Sequence, residues 1–369
     1  MTLATAGASP PRRHRRRSKP KTAFFGVAIV KKMTRPLLLD YGSGGKASQR
    51  LISECFLRHF ANPVLERLDD AALLDLRGPL AMSTDSYTVT PLFFPGGSIG
   101  ALAVHGTVND VSMLGARPRF LSCAFILEEG LDMDILDRIV RDMADAAREA
   151  DVLIVTGDTK VVPHGACDKV FITTTGIGEA LVDPTPSGAR ARPGDAVLVS
   201  GTMGDHGLTV MAQRASLSFA SDVQSDSAPL NRMTEALVKL GDIHVLRDPT
   251  RGGLATALNE IAAQSGCAVM IREADIPVRE NVRSACSLLG LDPLYLANEG
   301  KLVCILPESK AEAALDIMRG SPYGKDAARI GMVPEADAEL RPGRLVLETS
   351  IGGRRLLSML EGDQLPRIC

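Results

Sequence analysis

A segment rich in proline and glycine, DPTPSGARARPGD at residues 183–195, divides the chain into two halves of similar pattern. On each side of it, apolar runs of strand length alternate with stretches of helical periodicity, separated by glycine, proline and polar residues. This alternation is typical of domains in which helices pack against sheets. Because 369 residues exceed what one hydrophobic core usually organises, we expect two mixed α/β (α+β) domains, over 36–185 and 190–350.

The clearest predicted helix lies at 132–150, where Leu136, Ile139 and Met143 fall on one face. The other helices are predicted at 98–116, 208–215, 309–320 and within 244–266, where Gly266 would be the C-cap. Strands are predicted at 71–76, 79–91, 117–129, 151–162, 169–180, 196–201, 266–273, 301–307 and 344–350. We expect residues 351–369 to form a mobile C-terminal tail.

The charge of the chain is unevenly distributed. Residues 1–35 contain ten Lys or Arg and no acid, which leaves 32 basic against 44 acidic side chains in the rest. A nucleic-acid-binding domain carries its basic excess on the folded part, so we expect no nucleic acid as a partner. The basic segment fits a binding arm, a targeting peptide or a stretch upstream of a start at Met33, and we expect a disordered extension. No apolar run approaches the ~20 residues of a membrane span, so we expect no membrane partner.

Seven cysteines are scattered along the chain without a C-x-x-C pair, at positions 55, 123, 167, 267, 286, 304 and 369. This pattern indicates neither a disulfide framework nor a zinc site. We expect a reduced, cytoplasmic protein. Most of the internal cysteines stand in apolar runs and should pack as small hydrophobic residues, whereas Cys369 is the last residue of the chain.

A glycine-rich stretch, GSGGK at residues 42–46, lacks the spacing of a Walker loop, G-x-x-x-x-G-K-[ST]. Asp40 stands five positions before Gly45, and Ala47 follows Lys46. The stretch could offer backbone N–H groups and one cation to an anion, or it could be a simple flexible turn.

Acidic side chains recur within or beside apolar runs, at Asp69, Asp70, Asp85, Asp110, Asp158 and Asp248, with Asn109 before Asp110. An unpaired carboxylate in such surroundings is costly, and several that converge need cations between them. Ligands that are all oxygen suit Mg²⁺. The alternative is that single members are helix caps or turn residues.

Lys160 and Glu299 stand next to predicted strands, where each could be a site residue or a surface charge. The six histidines show no H-x-x-H or H-E-x-x-H spacing, which disfavours a zinc site or a histidine-based triad.

The motifs together resemble the AIR-synthetase (PurM-like) superfamily, and within it the HypE family of hydrogenase maturation proteins, the carbamoyl dehydratases. The resemblance rests on six motifs in order and on the C-terminal PRIC, and it spans residues from about 37 to 369. The motifs are GSGGK, DDAA, STDSYTVTPLFFPGGSIGALAVHGTVNDVSMLGA, VTGDTKVV, DPTRGGL and NEGK. The basic extension departs from the family, whose members begin near the position of Met33.

The resemblance implies a two-domain ATP-binding fold and an ATP-dependent dehydration. A partner carbamoyltransferase would load a carbamoyl group onto the thiol of Cys369. ATP would then phosphorylate the carboxamide oxygen, and loss of phosphate would leave a thiocyanate. The cyanide would pass to iron on a scaffold complex that builds the [NiFe]-hydrogenase active site. The resemblance further implies Mg²⁺, a homodimer formed through the N-terminal domain, and a cytoplasmic location.

The same resemblance implies roles for individual residues. Cys369 would be the carrier, Lys160 would stabilise charge on the reacting oxygen, and Glu299 would take the amide protons as general base. ATP contacts are implied for Gly42, Gly44, Gly45, Lys46, Asp85, Asn109, Asp158 and Asp248. Metal contacts are implied for Asp69, Asp70, Asp110 and Asp248.

Two classes of function stay open at this point. One is the dehydratase. The other is a relative that uses the same cleft for another small amide or selenide substrate, or a protein that has become only a scaffold. The terminal cysteine discriminates between them, because other branches of the superfamily are not expected to need it.

Overall fold

The computed structural model describes residues 35–42, 45–216, 222–335 and 340–359. The predictions for the basic extension, for Gly44 and for Cys369 with the tail segment 360–369 therefore lie outside the described residues. The described residues belong to one compact unit that begins at Arg35.

The N-terminal half is built on a four-stranded sheet of order β1-β6-β4-β5, in which β4 and β5 are parallel and the other neighbours antiparallel. Its strands are β1 (Leu80–Tyr87), β4 (Ala116–Glu128), β5 (Leu153–Val162) and β6 (Val170–Ala180). A short hairpin of β2 (Phe93–Phe94) and β3 (Gly97–Ser98) precedes the first long helix.

Helices cover one face of this sheet. The chain is helical over α1 (Gly45–Leu51), a π-helical turn (Ile52–Phe56) and α2 (Leu57–Phe60), and two long helices follow, α3 (Ile99–Met113) and α4 (Met133–Ala150). The predicted apolar face of α4 is confirmed, because Leu136, Ile139 and Met143 are fully buried. Asp132 begins this helix by accepting a hydrogen bond from the N–H of Asp134.

The opposite face of the four-stranded sheet is open to solvent. Side chains alternate between the two faces of a sheet, and paired residues of neighbouring strands share a face. By this register the open side of the sheet exposes apolar side chains at Leu80, Met82, Ile126 and Leu153. Asp158 and Lys160, paired with Ala124 and Ile126, lie on the same side. We refer to these six residues as the open face.

The C-terminal half is built on a seven-stranded sheet of order β13-β12-β9-β11-β7-β10-β8. Only β12 and β9 are parallel neighbours among these described strands. The strands are β7 (Asp195–Val199), β8 (Val245–Arg247), β9 (Val269–Arg272), β10 (Val303–Pro307), β11 (Ala328–Met332), β12 (Leu345–Glu348) and β13 (Arg354–Leu356). The helices are α5 (Asp205–Ala215), α6 (Asn231–Leu240), α7 (Gly253–Ser265), α8 (Glu280–Leu289) and α9 (Ala311–Arg319).

Both faces of the central strands in this sheet are buried. Val197 and Val199 pack in a core with Leu258 of α7, whereas Leu198 belongs to a second core with Leu237 of α6. All five residues of β7 are buried, which matches the continuous apolar run in its sequence. The sheet therefore places α7 on one side and α6 with α9 on the other.

The structure differs from the predicted elements at several places. The strand predicted at 71–76 is wrong: this stretch is irregular and Leu73 is 80% exposed. Helices α6 and α8 and strand β11 had not been predicted. Regular structure also continues into the predicted tail, because β13 pairs with β12. Leu357, just beyond β13, is buried, and its carbonyl accepts a hydrogen bond from the Asn259 side chain.

Six cysteines fall within the described residues, and all are free thiols; Cys55, Cys123, Cys286 and Cys304 are buried. Among the helices that the structure describes, none combines the length and the apolar character needed to cross a membrane.

Candidate active site

Five acidic side chains line a cavity of about 1090 Å³, which we refer to as the acidic cleft. One of them, Glu260, forms an ion pair with Arg247, and the other four are Asp85, Asp110, Asp248 and Glu299. Asp85 lies near the end of β1 and Asp110 in the last turn of α3, whereas Asp248 directly follows β8 and Glu299 precedes β10. Both halves of the chain thus contribute acids to the cleft. Of the acids predicted to converge, the cleft brings together Asp85, Asp110 and Asp248, and Glu299, which was singled out separately, joins them.

The polar contacts around Asp85 and Asp110 fix the N-terminal side of the cleft. The hydroxyl of Ser83 donates to Asp110 Oδ2 at 2.6 Å, and the hydroxyl of Tyr87 donates to Asp85 Oδ2 at 3.3 Å. Tyr87 packs so closely against Gly106 of α3 that a Cβ at Gly106 would clash with its hydroxyl oxygen. On the other side, the guanidinium of Arg251 lies 3.9 Å from Asp85 Oδ1.

Three carboxylates of the acidic cleft, those of Asp110, Asp248 and Glu299, have raised pKa values. Burial, the neighbouring Asp248 carboxylate and Asp85 raise the pKa of Asp110 to about 7, against the lowering effect of the Ser83 hydrogen bond. Burial and the Asp85 charge raise the pKa of Asp248 to about 6. Burial, followed by Asp248 and Asp226, raises the pKa of Glu299 well above its ordinary range. The cleft therefore resists full ionisation unless a cation neutralises it.

The raised pKa of Asp110 predicts how stability depends on pH. Between about pH 4 and pH 7 the folded protein retains a proton on Asp110 that the unfolded chain releases, so stability falls as pH rises through this window. Asp110→Asn, whose amide oxygen can still accept the Ser83 hydrogen bond, should raise Tm by ~2–5 °C at pH 8 and leave it unchanged at pH 4. Thermal unfolding without nucleotide or divalent cations measures this. Exposed Asp158→Asn is the control, and an equal rise at both pH values would contradict the prediction.

Other predicted site residues line a second cavity of about 870 Å³ between the helical segment at α1–α2 and the edge strand β5. Gly42, Asp69, Asp158 and Lys160 line it together with apolar side chains such as Phe56. Gly42 packs against the backbone of Val161, where a Cβ would clash. Gly45 begins α1 with a φ of +75°, which favours glycine, and Lys46 is exposed.

The predicted metal set is not assembled within one chain. Asp69 and Asp70 are exposed, Asp69 pairs with Arg67 at 3.1 Å, and Asp158 pairs with Lys160 at 3.1 Å. The expectation that these three carboxylates lie in apolar surroundings, where they would be costly, is therefore wrong, because they face solvent. In the part of the chain that the structure describes, no group of three or more His, Cys, Asp or Glu side chains is arranged to hold a metal ion. Asp110 and Asp248 share one cavity, whereas Asp69 lines the other.

Asn109 is buried and does not face the cleft. Its Nδ2 donates to the carbonyl oxygens of Ala228 and Glu299 at 3.0 and 3.3 Å, and its Oδ1 accepts from the N–H of Leu230 at 2.8 Å. Both polar atoms of its side chain thus bind the C-terminal half, so the structure favours a role in holding the two halves together over the predicted ATP contact.

Three residues that contact the acids of the cleft, Ser83, Tyr87 and Arg251, were not singled out from the sequence. Ser83 and Tyr87 lie inside the motif STDSY, where alternation along β1 places them on the same side as Asp85. Arg251 lies inside DPTRGG and is 82% exposed in its side chain. Its sequence neighbours give no signal that it would lie beside an acid of the other half.

Two family models match the chain. The N-terminal domain of the AIR synthase related proteins matches residues 68–180, and the C-terminal domain of the same family matches residues 192–340. The interval between them overlaps the proline- and glycine-rich segment at 183–195.

Known proteins and solved structures of similar length also match most of this chain. The carbamoyl dehydratase HypE of Azotobacter vinelandii is 52% identical over 331 residues, which cover 89% of this chain and 96% of that protein. A crystal structure of hydrogenase maturation protein HypE in complex with ATP is 72% identical, with a TM-score of 0.88, over 90% of this chain and all of that one. A crystal structure of a HypE–HypF complex matches 84% of this chain and 99% of that one at 50% identity, with a TM-score of 0.74. The chain therefore belongs to the HypE family of carbamoyl dehydratases, within the AIR synthase related proteins.

Proposed function

We propose that this protein is an ATP-dependent carbamoyl dehydratase of hydrogenase maturation, which converts an S-carbamoyl group on Cys369 into a thiocyanate. The observation that carries the proposal is the 52% identity to a carbamoyl dehydratase HypE over 89% of the chain. In the reaction the carboxamide oxygen leaves in inorganic phosphate, ATP becomes ADP, and the amide nitrogen loses both protons to give S–C≡N. The cyanide provides a ligand for the iron of a [NiFe] hydrogenase.

The acidic cleft fits a magnesium-bound nucleotide. Asp85, Asp110 and Asp248 offer only oxygen ligands, the donors that Mg²⁺ prefers, and the raised pKa values of Asp110 and Asp248 reflect burial and charge repulsion that a cation would relieve. When bound, Mg²⁺ would neutralise charge on the ATP phosphates. Because the described acids do not form a preformed metal site by themselves, we infer that these three residues would hold Mg²⁺ only together with the phosphates of a bound nucleotide.

The second cavity supplies the remaining nucleotide contacts in this proposal. Gly42 and Gly45 would offer backbone groups, and Lys46 and Asp158 would contact polar parts of ATP, as the family resemblance implies for the whole stretch 42–46. Asp69 lines this cavity and Asp70, the next residue, is exposed, so any role of either in metal binding requires a nucleotide that reaches it. A crystal structure of HypE with ATP, 72% identical to this chain, supports ATP as the cosubstrate.

Glu299 is the best-placed general base. Its side chain lines the acidic cleft, and its raised pKa makes this carboxylate a stronger proton acceptor than a glutamate in water. Lys160 would stabilise negative charge on the reacting oxygen. Within one chain, however, Lys160 lines the other cavity, so we propose that a second copy completes the site.

The tail can reach the acidic cleft from its attachment point. The hydroxyl of Tyr295, a residue that lines the cleft, donates to the carbonyl of Ser358 at 2.7 Å. Ten residues, 360–369, follow the last described residue, and an extended chain of that length spans up to ~33–36 Å. The proposed swinging of Cys369 between a loading enzyme and the cleft is therefore within reach of the chain.

A homodimer formed through the open face is part of the proposal. The face exposes Met82 at 67% and Leu80 at 49%, and an apolar sheet surface of this kind is a common protein interface. Two copies packed there would bring Asp158 and Lys160 against the partner chain.

Met82→Asp tests the dimer directly. A charge buried in an apolar interface should weaken dimerisation by at least ~100-fold, measured by size-exclusion chromatography with light scattering. Leu288→Asp on α8, where Leu288 is 75% exposed, is the matched control and should leave the mass unchanged. A dimer that persists in Met82→Asp, or a wild-type monomer, would contradict this part of the proposal.

The partners follow from the carrier role of Cys369. We propose a carbamoyltransferase as the loading enzyme, which the solved HypE–HypF complex supports, and an iron-carrying scaffold complex as the acceptor of cyanide. The free internal thiols fit the reducing cytoplasm, where we expect the protein to act.

Mass spectrometry of the C-terminal peptide tests the function. The protein is incubated with a carbamoyltransferase and carbamoyl phosphate labelled with ¹⁸O at the carbonyl oxygen, and then with MgATP. The expected result is a carbamoyl adduct on Cys369 that loses one water equivalent only with ATP, with ¹⁸O appearing in inorganic phosphate. A stable adduct, or label released into water, would exclude the proposed reaction.

A further inference from the structure

The backbone of Glu299 is held from both sides by side chains of other segments. Its N–H donates to Asp226 Oδ1 at 3.1 Å, and its carbonyl oxygen accepts from Asn109 Nδ2 at 3.3 Å. Glu299 lies in the motif NEGK, in which the side chains of Asn298 and Lys301 are also buried. The side chain of Asn298 accepts from the N–H of Gly204 at 2.7 Å and donates to the carbonyl of Pro249 at 3.1 Å.

Asp226 is a buried carboxylate with a specific charge partner. Its side chain is 3% exposed, and its Oδ2 lies 3.3 Å from Nζ of Lys301, which is itself buried. A buried carboxylate without such a partner would be strongly destabilising. Gly300, between Glu299 and Lys301, packs on the carbonyl oxygen of Asp226 so closely that a Cβ would clash. These contacts therefore hold residues 298–301 in one position against Asp226.

Asn109 links the same position to the opposite wall of the cleft. It precedes Asp110 on α3, and its amide contacts both Glu299 and the segment that contains Asp226, through Ala228 and Leu230. A shift of α3 would therefore move Asp110 and the Glu299 backbone together. This amide therefore couples the position of Asp110 to that of the Glu299 backbone.

We propose that Asp226 and Asn109 are positioning residues, which clamp the backbone of Glu299 so that its carboxylate meets the carbamoyl nitrogen while Asp110 contacts the phosphate. The inference rests on the proposed role of Glu299 as general base. Neither residue lines the acidic cleft, so the clamp should act on the rate of the chemical step and not on the affinity for ATP.

Single-turnover dehydration of the preloaded protein tests the clamp. Asp226→Ala and Asn109→Ala should each lower the rate of water loss by about 10–100-fold, since a misplacement near 1 Å has effects of that size, with KM for ATP changed less than about twofold. Asp226→Asn retains an acceptor for the Glu299 N–H and should recover most of the rate. In a Glu299→Gln background, Asp226→Ala should cause little further loss, because both changes act through one carboxylate.

The matched control is Asp195→Asn, which removes another buried carboxylate from a pair with His244, 2.7 Å away. Asp195 pairs with Pro307 at the far end of β10 from Glu299, so the rate should stay near wild type. A wild-type rate in Asp226→Ala, a raised KM for ATP at unchanged rate, or an equal loss in the Glu299→Gln background would overturn the proposal.

Amide hydrogen exchange tests the proposed clamp independently of enzymatic activity. The peptide over 296–303 should exchange faster in Asp226→Ala than in wild type and be unchanged in Asp195→Asn; unchanged exchange in Asp226→Ala would overturn the clamp. If the wild-type protein failed to lose water with ATP, the proposed function would fail, and the exchange result would still decide whether the clamp exists.

Discussion

Cys369→Ser is expected to abolish both the carbamoyl adduct and the ATP-dependent loss of water. A thiolate is the nucleophile that accepts an acyl-type group, and a serine hydroxyl without an activating base stays protonated and unreactive at neutral pH. The loss should exceed ~10³-fold in the rate of adduct formation. Intact-mass and peptide mass spectrometry after incubation with the carbamoyltransferase measure it. ATP affinity should change little, because the acidic cleft and the second cavity remain intact.

The control for this variant is Cys167→Ser. Cys167 is a partly exposed cysteine in a loop, and burial and the charges of Glu128 and Asp168 raise the pKa of its thiol. Adduct formation on Cys369 should continue at the wild-type rate in Cys167→Ser. An adduct that persists in Cys369→Ser and disappears in Cys167→Ser would show that Cys167 carries the carbamoyl group. That result would refute the proposal that Cys369 is the carrier.

The fold was predictable where the sequence has a regular period or a long apolar run. Helix α4 shows its buried stripe in the sequence, and β7 shows its burial on both faces. The stretch at 71–76 is apolar but has no partner strand, and Leu73 faces solvent. An apolar composition alone therefore does not show that a segment is a buried strand. Strand order could not be read from the sequence, because pairs such as β1 with β6 join residues about 90 positions apart.

The acidic cleft was predicted in part, for reasons of geometry. Asp85, Asp110 and Asp248 stand at element ends that meet, whereas Asp158 lies on the open face, because alternation along β5 turns it away from the core. Asn109 and Asp110 are adjacent in sequence, but successive residues on a helix point in directions about 100° apart. One therefore faces the cleft and the other binds the C-terminal half. Asp226 had no sequence signal, since its partner Glu299 is 73 positions away.

Glu299→Gln is expected to lower the rate of dehydration by about 10²–10⁴-fold, the usual contribution of a general base. The amide cannot take a proton from the carbamoyl nitrogen, but the backbone contacts to Asp226 and Asn109 are independent of the side chain and should persist. ATP binding should be retained or slightly strengthened, because one negative charge leaves the cleft. Single-turnover mass spectrometry of preloaded protein measures the rate. A wild-type rate would exclude Glu299 as the base.

Mixing Glu299→Gln with Lys160→Ala decides whether one chain holds the whole site. If Lys160 of one copy serves the cleft of the other, a mixed dimer has one site with both changes and one site with neither. Random exchange would then restore about a quarter of wild-type activity from two inactive proteins. If each site is built from a single chain, every site in the mixture carries one of the two changes and no activity returns. Because the two residues line separate cavities in one chain, we expect restoration, and its absence would require a movement that brings Lys160 to Glu299 within one copy.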